Sequence, residues 1–284
     1  EPFAKYDDYV QVVTGASFIA GLRSNGSAVV QQLKSGAGGA AAILQTFEYS
    51  GPPLARLTGW KPLREVWGLT EDGRPVQVTT GYYEAGNIVR HMDNLIGFSG
   101  DRGRYAGLRA DGTVVYGISP TLLATSQWMP KPESLPPVKA VWCRLESIVV
   151  LTRDGSVMGW HESCGEFKTP QHLRRGIVQV VEGDIHVNKT TNELEWYGTF
   201  VDRQGDLFRG GSPVVMAKNV ESFISYGSIW LPRQRRNWVV EGDQGIYGQF
   251  QKAREVLEKA TPVAFDYFNG STTNGSTAIF AWIE

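Results

Sequence analysis

A short motif that recurs along the chain constrains its fold more than any other feature. Residues 107–117 read Gly-Leu-Arg-Ala-Asp-Gly-Thr-Val-Val-Tyr-Gly, so two β-forming runs flank an Asp-Gly pair. Asp-Gly between such runs is a strong signal for a tight hairpin whose central residues have positive φ. The motif returns closely at residues 151–160 and with more drift at 22–30 and 69–78. The sequence therefore predicts a repeated hairpin, with positive φ at Asp111-Gly112 and at Asp154-Gly155.

The spacing of these turns is typical of propeller blades, which repeat about every 40 residues. The turn marks are Gly26, Gly73, Gly112 and Gly155, followed by two degenerate turns near Glu193 and Asn237. An apolar strand precedes each mark, at residues 10–15, 55–59, 94–97, 138–143, 177–183 and 220–227. Each of the six units therefore consists of a strand, a loop, a second strand, a tight turn and a third strand.

The end of the chain supplies a seventh, incomplete unit. Residues 263–268 and 277–283 match the first and second strands, and the chain stops where a turn is due. Residues 2–6 could supply the missing strand, which would close a ring and leave no open sheet edge. We therefore predict one all-β domain over residues 1–284, a seven-bladed β-propeller closed by pairing of its N- and C-terminal strands. Six or eight blades are the alternatives.

Longer connections indicate where this ring carries additions. They lie at residues 31–53, 119–137 and 200–213, and we expect each to form a loop. Helix formers at residues 250–260 end before Pro262, so we expect one short surface helix there.

Composition excludes some partners and favours a compartment. The 28 Lys and Arg against 29 Asp and Glu lack the basic excess of a nucleic-acid binder, and no apolar run approaches the roughly 18 residues of a membrane span. We expect neither partner, and we expect a monomer. Four glycosylation sequons favour a secreted glycoprotein over a cytosolic or bacterial protein, and a start without Met would follow removal of a leader. The sequons are at Asn25, Asn188, Asn269 and Asn274.

The repeats resemble those of the regulator of chromosome condensation family. The resemblance lies in the strand, the Asp-Gly turn and a third strand that ends in an aromatic-Gly or Gly-aromatic pair, and it is strongest at residues 108–117 and 151–160. In organisation the chain looks most like the minimal secreted seven-bladed members, such as beta-lactamase inhibitory protein II. The Gly-x-x-His that usually precedes the second strand is absent. The resemblance implies a propeller and, by way of the inhibitory members, protein binding without catalysis.

No local motif predicts catalysis, a cofactor or a metal. The segment 161–166 places an imidazole, a thiol and two carboxylates together, but its spacing is not that of a structural zinc site. A Gly-x-Ser-x-Gly elbow, a phosphate loop and a dinucleotide fingerprint are all absent from the sequence. Whether the protein is an enzyme stays uncertain, because propeller enzymes assemble their sites from single residues on separate blades.

The two cysteines are the best candidates for a disulfide. Cys143 ends the first strand of the fourth unit and Cys164 follows its third strand, and these strands run in the same direction. Their ends should lie on one face, so in a secreted chain we predict that the two thiols pair.

The loops between first and second strands predict the ligand-binding face, because equivalent loops all open on the same side of a propeller. The candidate residues are Trp60, Arg102, Arg104, Glu146, Asp184, His186 and Trp230. Aromatic and Arg side chains dominate binding hot spots, although either Trp could instead pack between blades. The leading hypothesis is a secreted, non-enzymatic protein that binds a protein partner here. The alternatives are a lectin-like carbohydrate-binding propeller, and a polysaccharide lyase or hydrolase with His186 as proton shuttle near Glu146 or Asp184.

Overall fold

The fold is all-β, as predicted. The computed structural model describes residues 8–15, 18–35, 41–58, 66–79, 85–101, 103–144, 146–188, 190–226, 229–234, 237–238, 262–269 and 277–283. Side chains are described up to Val220, apart from a few positions beside the gaps. The predicted closing strand at 2–6 and the predicted helix at 250–260 lie outside the described residues.

The described strands form seven separate antiparallel sheets, which we letter A to G in chain order. Sheet A contains β1 (Tyr9–Gly15), β2 (Phe18–Arg23), β3 (Ala28–Ser35) and β4 (Ala41–Glu48); sheet B contains β5 (Leu54–Thr58), β6 (Trp67–Thr70) and β7 (Pro75–Gln77); sheet C contains β8 (Leu95–Asp101), β9 (Arg104–Arg109) and β10 (Val114–Ile118); sheet D contains β11 (Val138–Cys143), β12 (Ser147–Thr152), β13 (Val157–His161) and β14 (Gly165–Phe167); sheet E contains β15 (Ile177–Val187), β16 (Leu194–Asp202), β17 (Leu207–Arg209) and β18 (Val215–Ala217); sheet F contains β19 (Val220–Tyr226), β20 (Ile229–Gln234) and β21 (Asn237–Trp238); and sheet G contains β22 (Pro262–Asn269) and β23 (Thr277–Ile283). In every sheet the strands pair in chain order, so each sheet is a meander.

Helix is scarce in the described residues. One short α-helix, α1, spans Ala85–Val89, and single 3₁₀ turns span Pro120–Leu122, Ala124–Ser126, Pro132–Ser134 and Gln171–Leu173. Three of these turns fall within the predicted loop at 119–137. The proline-rich loop therefore follows the third strand of sheet C as a chain of compact turns.

All seven sheets share one irregularity. Near the start of the first strand of each sheet, the pairing with the second strand skips one residue, which is a β-bulge. The skipped residues are Val10, Ala55, Ile96, Lys139, Val178, Glu221 and Val263. The same bulge at the start of the first strand is therefore a feature common to all seven described sheets, including sheet G, where the sequence has no turn mark.

The hairpin turn that marks the repeat has positive φ at glycine alone. In sheet C the Gly112 N–H donates to the Arg109 carbonyl at 3.0 Å, and Gly112 has φ 95°. Asp111 is absent from the positive-φ residues; its Oδ1 instead accepts the Thr113 N–H at 2.8 Å. The connection is therefore a three-residue turn that ends in a left-handed glycine. Positive φ is confirmed at Gly112 and Gly155, and the same prediction for Asp111 and Asp154 is wrong.

The predicted turn mark near Glu193 is also wrong. Glu193 lies between the first and second strands of sheet E, and the equivalent hairpin turn is at Gly205, with φ 80°. The Gly205 N–H donates to the Asp202 carbonyl at 3.1 Å, as in the other turns. The missing Asp-Gly signal has a physical cause: the capping carboxylate is on Asp202, whose Oδ1 accepts the N–H groups of Gln204 and Asp206, both at 2.9 Å.

Four of the described turn glycines also bind the sheet that follows them. The carbonyl of Gly112 accepts the Val138 N–H, that of Gly155 accepts the Ile177 N–H, and that of Gly205 accepts the Val220 N–H, each at 2.9 Å. Gly26 and Leu54 make the same bond at 2.8 Å. The turn of one sheet is thereby joined to the bulged first strand of the next.

The chain divides into two compact units. Unit 1 comprises residues 1–93 and 248–284, with sheets A, B and G. Its first strands are neighbours: β1 contacts both β5 and β22, and the Gln11 side chain donates to the Leu57 carbonyl at 2.9 Å while accepting the Leu57 N–H at 2.8 Å. Leu22, Val30 and Leu57 are central to its buried apolar core.

Unit 2 comprises residues 94–247, with sheets C to F. Its first strands β8, β11, β15 and β19 contact one another in that order. Side chains bridge them, since the Ser99 hydroxyl accepts the Cys143 N–H at 3.1 Å and the Lys139 ammonium donates to the Val178 carbonyl at 2.9 Å. Two buried apolar clusters, one around Ile148 and one around Phe200, fill the space between successive sheets.

The predicted disulfide is not formed. Both cysteines are free thiols, with Cys143 buried and Cys164 exposed. The two lie on either side of β12, which pairs with β11 on one edge and β13 on the other. Two strand spacings amount to about 9.5 Å, beyond the roughly 7 Å that a disulfide can span between Cα atoms.

Candidate binding site

The described candidate residues lie in unit 2, near the ends of strands where first and second strands connect. Trp60 and Arg102 lie outside the described residues, and for Trp230 the structure describes only its backbone position in β20. Arg104 begins β9, Glu146 precedes β12, and Asp184 and His186 lie near the end of β15. These four residues divide into two groups with different environments.

Arg104 is a buried support for the loop at 119–137. Only 2% of its side chain is exposed, its Nε donates to the Ser126 hydroxyl at 2.9 Å, and an Nη donates to the Thr125 hydroxyl at 3.0 Å. The guanidinium also lies over the Trp128 ring, 5.6 Å from its centroid. These contacts fix the chain of 3₁₀ turns against β9. The guanidinium also faces Glu162, whose carboxylate is 3.6 Å from Arg104 Nη1.

Asp184 is the centre of a buried group of hydrogen-bonded polar side chains between sheets D and E. Its Oδ1 accepts the Ser147 hydroxyl and, at 2.8 Å, the Ile185 N–H. Its Oδ2 lies 2.7 Å from Arg144 Nη1. Both carboxylate oxygens are therefore occupied within the protein, and the ion pair with Arg144 neutralises a charge that is only 8% exposed.

His161 lies beneath two exposed carboxylates. Its Nδ1 accepts the Ser163 N–H at 3.2 Å, so in the neutral ring the proton is on Nε2. That buried Nε2 has no hydrogen-bond partner among the described residues, and the nearest acid, Glu146, is 4.0 Å away. Burial lowers the pKa of His161, and the negative charges of Glu146, Glu162 and Asp184 oppose this effect.

Together these residues form one polar cluster, in which the structure joins Arg104, Glu146 and Asp184 to residues that the candidate set lacked. The additional members are Arg144, Ser147, His161 and Glu162. The sequence of segment 161–166 carries no signal that His161 ends the third strand of sheet D. The cross-strand pairing of Ser147 with His161 was not visible in the sequence.

His186 belongs to a separate groove at the same end of sheet E. Its ring meets the Tyr197 ring edge-on, with centroids 5.0 Å apart. The groove has a volume of about 840 Å³, which is within the usual range for ligand sites, about 300–1,000 Å³. Its lining residues are Phe167, Lys168, Pro170, His186, Leu194, Glu195, Trp196, Tyr197, Arg209, Gly210, Gly211 and Ser212.

Sheets D and E each supply one wall of this groove. The Trp196 indole N–H donates to the Lys168 carbonyl at 3.1 Å, and the Trp196 and Phe167 rings are 6.0 Å apart. Gly210 bounds the groove with φ 55°, and a Cβ there would lie 2.5 Å from the Trp196 carbonyl oxygen. Glycine is therefore required at this position for conformation and for space. The Gly210-Gly211 pair is the sequence signal for this groove. Of the described candidate residues, only His186 lines it.

The described geometry contains no assembled nucleophilic or metal site. Ser147 donates its hydroxyl proton to Asp184 rather than to His161, so the Ser, His and Asp side chains do not form a relay. Among the described residues, no group of three His, Cys, Asp or Glu side chains could hold a metal ion. His186 makes no hydrogen bond with Glu146 or Asp184 among the described contacts.

Comparisons with known proteins concern the fold. No protein-family model and no curated protein sequence matches this chain. The entire ectodomain of the receptor kinase CR4 from Physcomitrella patens is similar in structure, with a TM-score of 0.50 and 14% identity over 96% of this chain and 72% of that one. The ectodomain of the Arabidopsis thaliana receptor kinase ACR4, named a CRINKLY WD40 ectodomain, has a TM-score of 0.49 and 13% identity over 74% of this chain and 67% of that one.

A further neighbour belongs to the family that the repeats resemble. Prp20p from Saccharomyces cerevisiae, the yeast RCC1, has a TM-score of 0.40 and 13% identity over 85% of this chain. This chain spans 59% of the length of that protein, whose structure was determined together with its binding properties to Gsp1p and histones. No helix in the described part of this chain is both long and apolar enough to cross a membrane.

Proposed function

We propose that the protein is a non-enzymatic binding protein that holds a partner protein at the groove in sheet E. The observation that carries this proposal is the groove itself: aromatic side chains from two sheets line it, and charged groups surround them. Phe167 and Tyr197 are partly exposed there, and Lys168 and Glu195 are exposed at its edge. Aromatic contact area combined with a polar rim is typical of protein interfaces.

The proposal includes a closed, seven-bladed propeller, organised like the minimal inhibitory members of the resembled family. Seven sheets, a bulge at the same place in each, and first strands that are neighbours within both units support seven equivalent blades. Residues 2–6 would complete sheet G as its third strand. In this arrangement the loops between first and second strands share one face, and the groove opens on that face.

Secretion as a monomeric glycoprotein remains part of the proposal and is based on the sequons. Asn25 is exposed in the turn of sheet A, where its Oδ1 accepts the Ser27 N–H at 2.9 Å. Asn188 lies beside the groove and donates its amide to Glu195 at 2.8 Å. A glycan on Asn188 would replace that bond and stand at the rim of the groove.

The test uses two tryptophan variants at opposite ends of sheet E. Ser212→Trp fills the groove from an exposed lining position, whereas Gln204→Trp adds the same ring to the exposed hairpin turn. The wild-type protein would select binders from a yeast-displayed library of protein domains, and both variants would be titrated against them. We expect Ser212→Trp to weaken binding by about tenfold or more, equal to 1.4 kcal/mol, and Gln204→Trp to leave it unchanged.

A glycan array probed in parallel tests the carbohydrate alternative, which the partly exposed Phe167 and Tyr197 rings favour because sugars stack on aromatic faces. Binding of glycans but of no protein domain would replace the proposed function with a lectin function. Loss of domain binding in Gln204→Trp alone would move the site to the turn face. If a selected domain bound both variants equally, protein binding would not depend on the groove.

A further inference from the structure

The second strand of sheet E extends beyond its neighbour on one side only. Strand β16 pairs with β15 from Leu194 to Asp202, whereas β17 pairs with it only from Thr199 to Val201. Within the part of the chain that the structure describes, no strand therefore pairs with the β17 side of Leu194–Tyr197. The groove runs along this stretch, because all four of its residues line it.

The outward hydrogen-bonding groups of this edge point away from β15, toward the side on which the groove lies. The Asn188 N–H donates to the Glu193 carbonyl at 2.7 Å, so residues 188 and 193 form a hydrogen-bonded pair. Bonding alternates along an antiparallel ladder, which directs the main-chain groups of Leu194 and Trp196 away from β15. Gly198 confirms this alternation, because its carbonyl faces the same side and accepts the Gly210 N–H at 2.9 Å.

The row of partners stops at Gly210 because the chain turns away there. Gly210 has φ 55°, and the Ser212 N–H donates back to the Arg209 carbonyl at 3.3 Å instead of to β16. A longer β17 would have continued past Trp196 and Leu194. Gly210 lies against the Trp196 carbonyl oxygen, so the groove occupies the place of the missing strand beside Leu194.

The rim of the groove carries more positive than negative charge. Among the described lining residues, the charged side chains are Lys168 on one wall, Arg209 on the other and the acid Glu195, which accepts the Asn188 amide. A carboxylate entering between the two walls would be attracted, and an apolar neighbour would meet the Phe167 and Trp196 rings.

We propose that an extended segment of the partner protein enters the groove as an added β-strand, pairs with the uncovered edge of β16 at Leu194, and places an acidic side chain between Lys168 and Arg209. This inference rests on the proposed function and specifies how its site is occupied. An added strand obtains affinity from main-chain hydrogen bonds and specificity from alternate side chains, so the partner is recognised by an extended acidic and apolar sequence.

The experiment uses a phage-displayed library of random heptapeptides as the probe. We expect enriched peptides to carry Asp or Glu beside apolar residues. A synthetic copy would then be N-methylated at alternate residues in two sets. Because only alternate N–H groups of an added strand point toward β16, one set should lose about tenfold or more in affinity and the other should retain binding.

Two variants of the protein separate main-chain from side-chain recognition. Leu194→Pro removes the outward N–H without breaking the ladder to β15, and Leu194→Ala removes the side chain but keeps that N–H. We expect Leu194→Pro to bind at least about tenfold more weakly than Leu194→Ala, with thermal melting verifying that both are folded.

The outcomes distinguish this inference from the proposed function. Peptides that lose affinity in Ser212→Trp but are indifferent to Leu194→Pro and to both methylation sets would overturn strand addition and leave the groove as the binding site. Domains that bind the groove while no peptide enriches would do the same. Enriched peptides rich in Lys and Arg would overturn the acidic assignment, and failure of every domain and peptide to bind would refute the proposed function as well.

Discussion

Replacing the turn glycine of sheet D tests whether the hairpin turns join successive sheets. Gly155 has φ 90°, and a Cβ there would lie 2.9 Å from the Ile177 carbonyl oxygen and 3.0 Å from the Gly176 nitrogen. Both atoms belong to the main chain leading into sheet E, so they cannot move aside as a flexible side chain could. Gly155→Ala should therefore strain its own backbone and displace the start of β15.

The structure supplies a control for the backbone strain alone. Gly165 has φ 71°, yet a Cβ there would meet nothing within 4 Å. A left-handed alanine costs about 1–2 kcal/mol, which is the expected loss for Gly165→Ala. Gly155→Ala adds displacement of the Ile177 N–H, which donates to the Gly155 carbonyl at 2.9 Å, and losing that bond costs about 1 kcal/mol more. The expected total is about 2–3 kcal/mol.

Urea unfolding of both variants and the wild type measures these differences as changes in the free energy of unfolding. We expect Gly155→Ala to be less stable than Gly165→Ala by about 1 kcal/mol or more. Equal losses would show that strain explains the whole effect and that the bond between the turn and the next sheet contributes nothing. Near-neutral behaviour of both would contradict the argument from positive φ.

Three further outcomes are expected. Cys164 should react with a thiol reagent in the native protein and Cys143 only after unfolding, and rapid labelling of both would contradict the burial of Cys143. Burial lowers the pKa of His172, so the folded protein resists a proton that the unfolded chain binds near pH 6.5; stability should be complete above that pH and fall as the pH drops through it. His172→Phe should flatten this decline in thermal melts, and an unaltered slope would assign the decline to other groups. Arg104→Met should release the loop at 119–137 to limited proteolysis, whereas an unchanged digestion pattern would show that the loop holds itself in place.

Local sequence signals predicted the strands well. The first strand of sheet D and the last strand of sheet G have the predicted bounds, 138–143 and 277–283. Both follow from runs of β-branched and aromatic residues, which favour strands. The fifth turn was predicted wrongly because its capping carboxylate belongs to Asp202 and not to an Asp-Gly pair. A capping residue at a different distance from the turn glycine has no fixed sequence signature.

The candidate site could be predicted only in part, because its properties depend on pairs of elements. Arg104 and Asp184 were placed at the correct ends of their strands, but their burial depends on the loop at 119–137 and on Arg144. The groove results from a difference in length between β16 and β17. A sequence shows where each strand starts and stops, but not which edge is left uncovered when one ends early.

The bond that joins the turns of sheets A, C, D and E to the sheets that follow them changes what counts as the repeating module. A boundary drawn between sheets C and D would leave the Gly112 carbonyl without the Val138 N–H that it accepts. A protein engineer who grafts, deletes or permutes the modules of sheets A, C, D and E should therefore carry the first bulged residues of the following sheet with each of these hairpins. For these four sheets, the interchangeable piece extends from one bulge to the next.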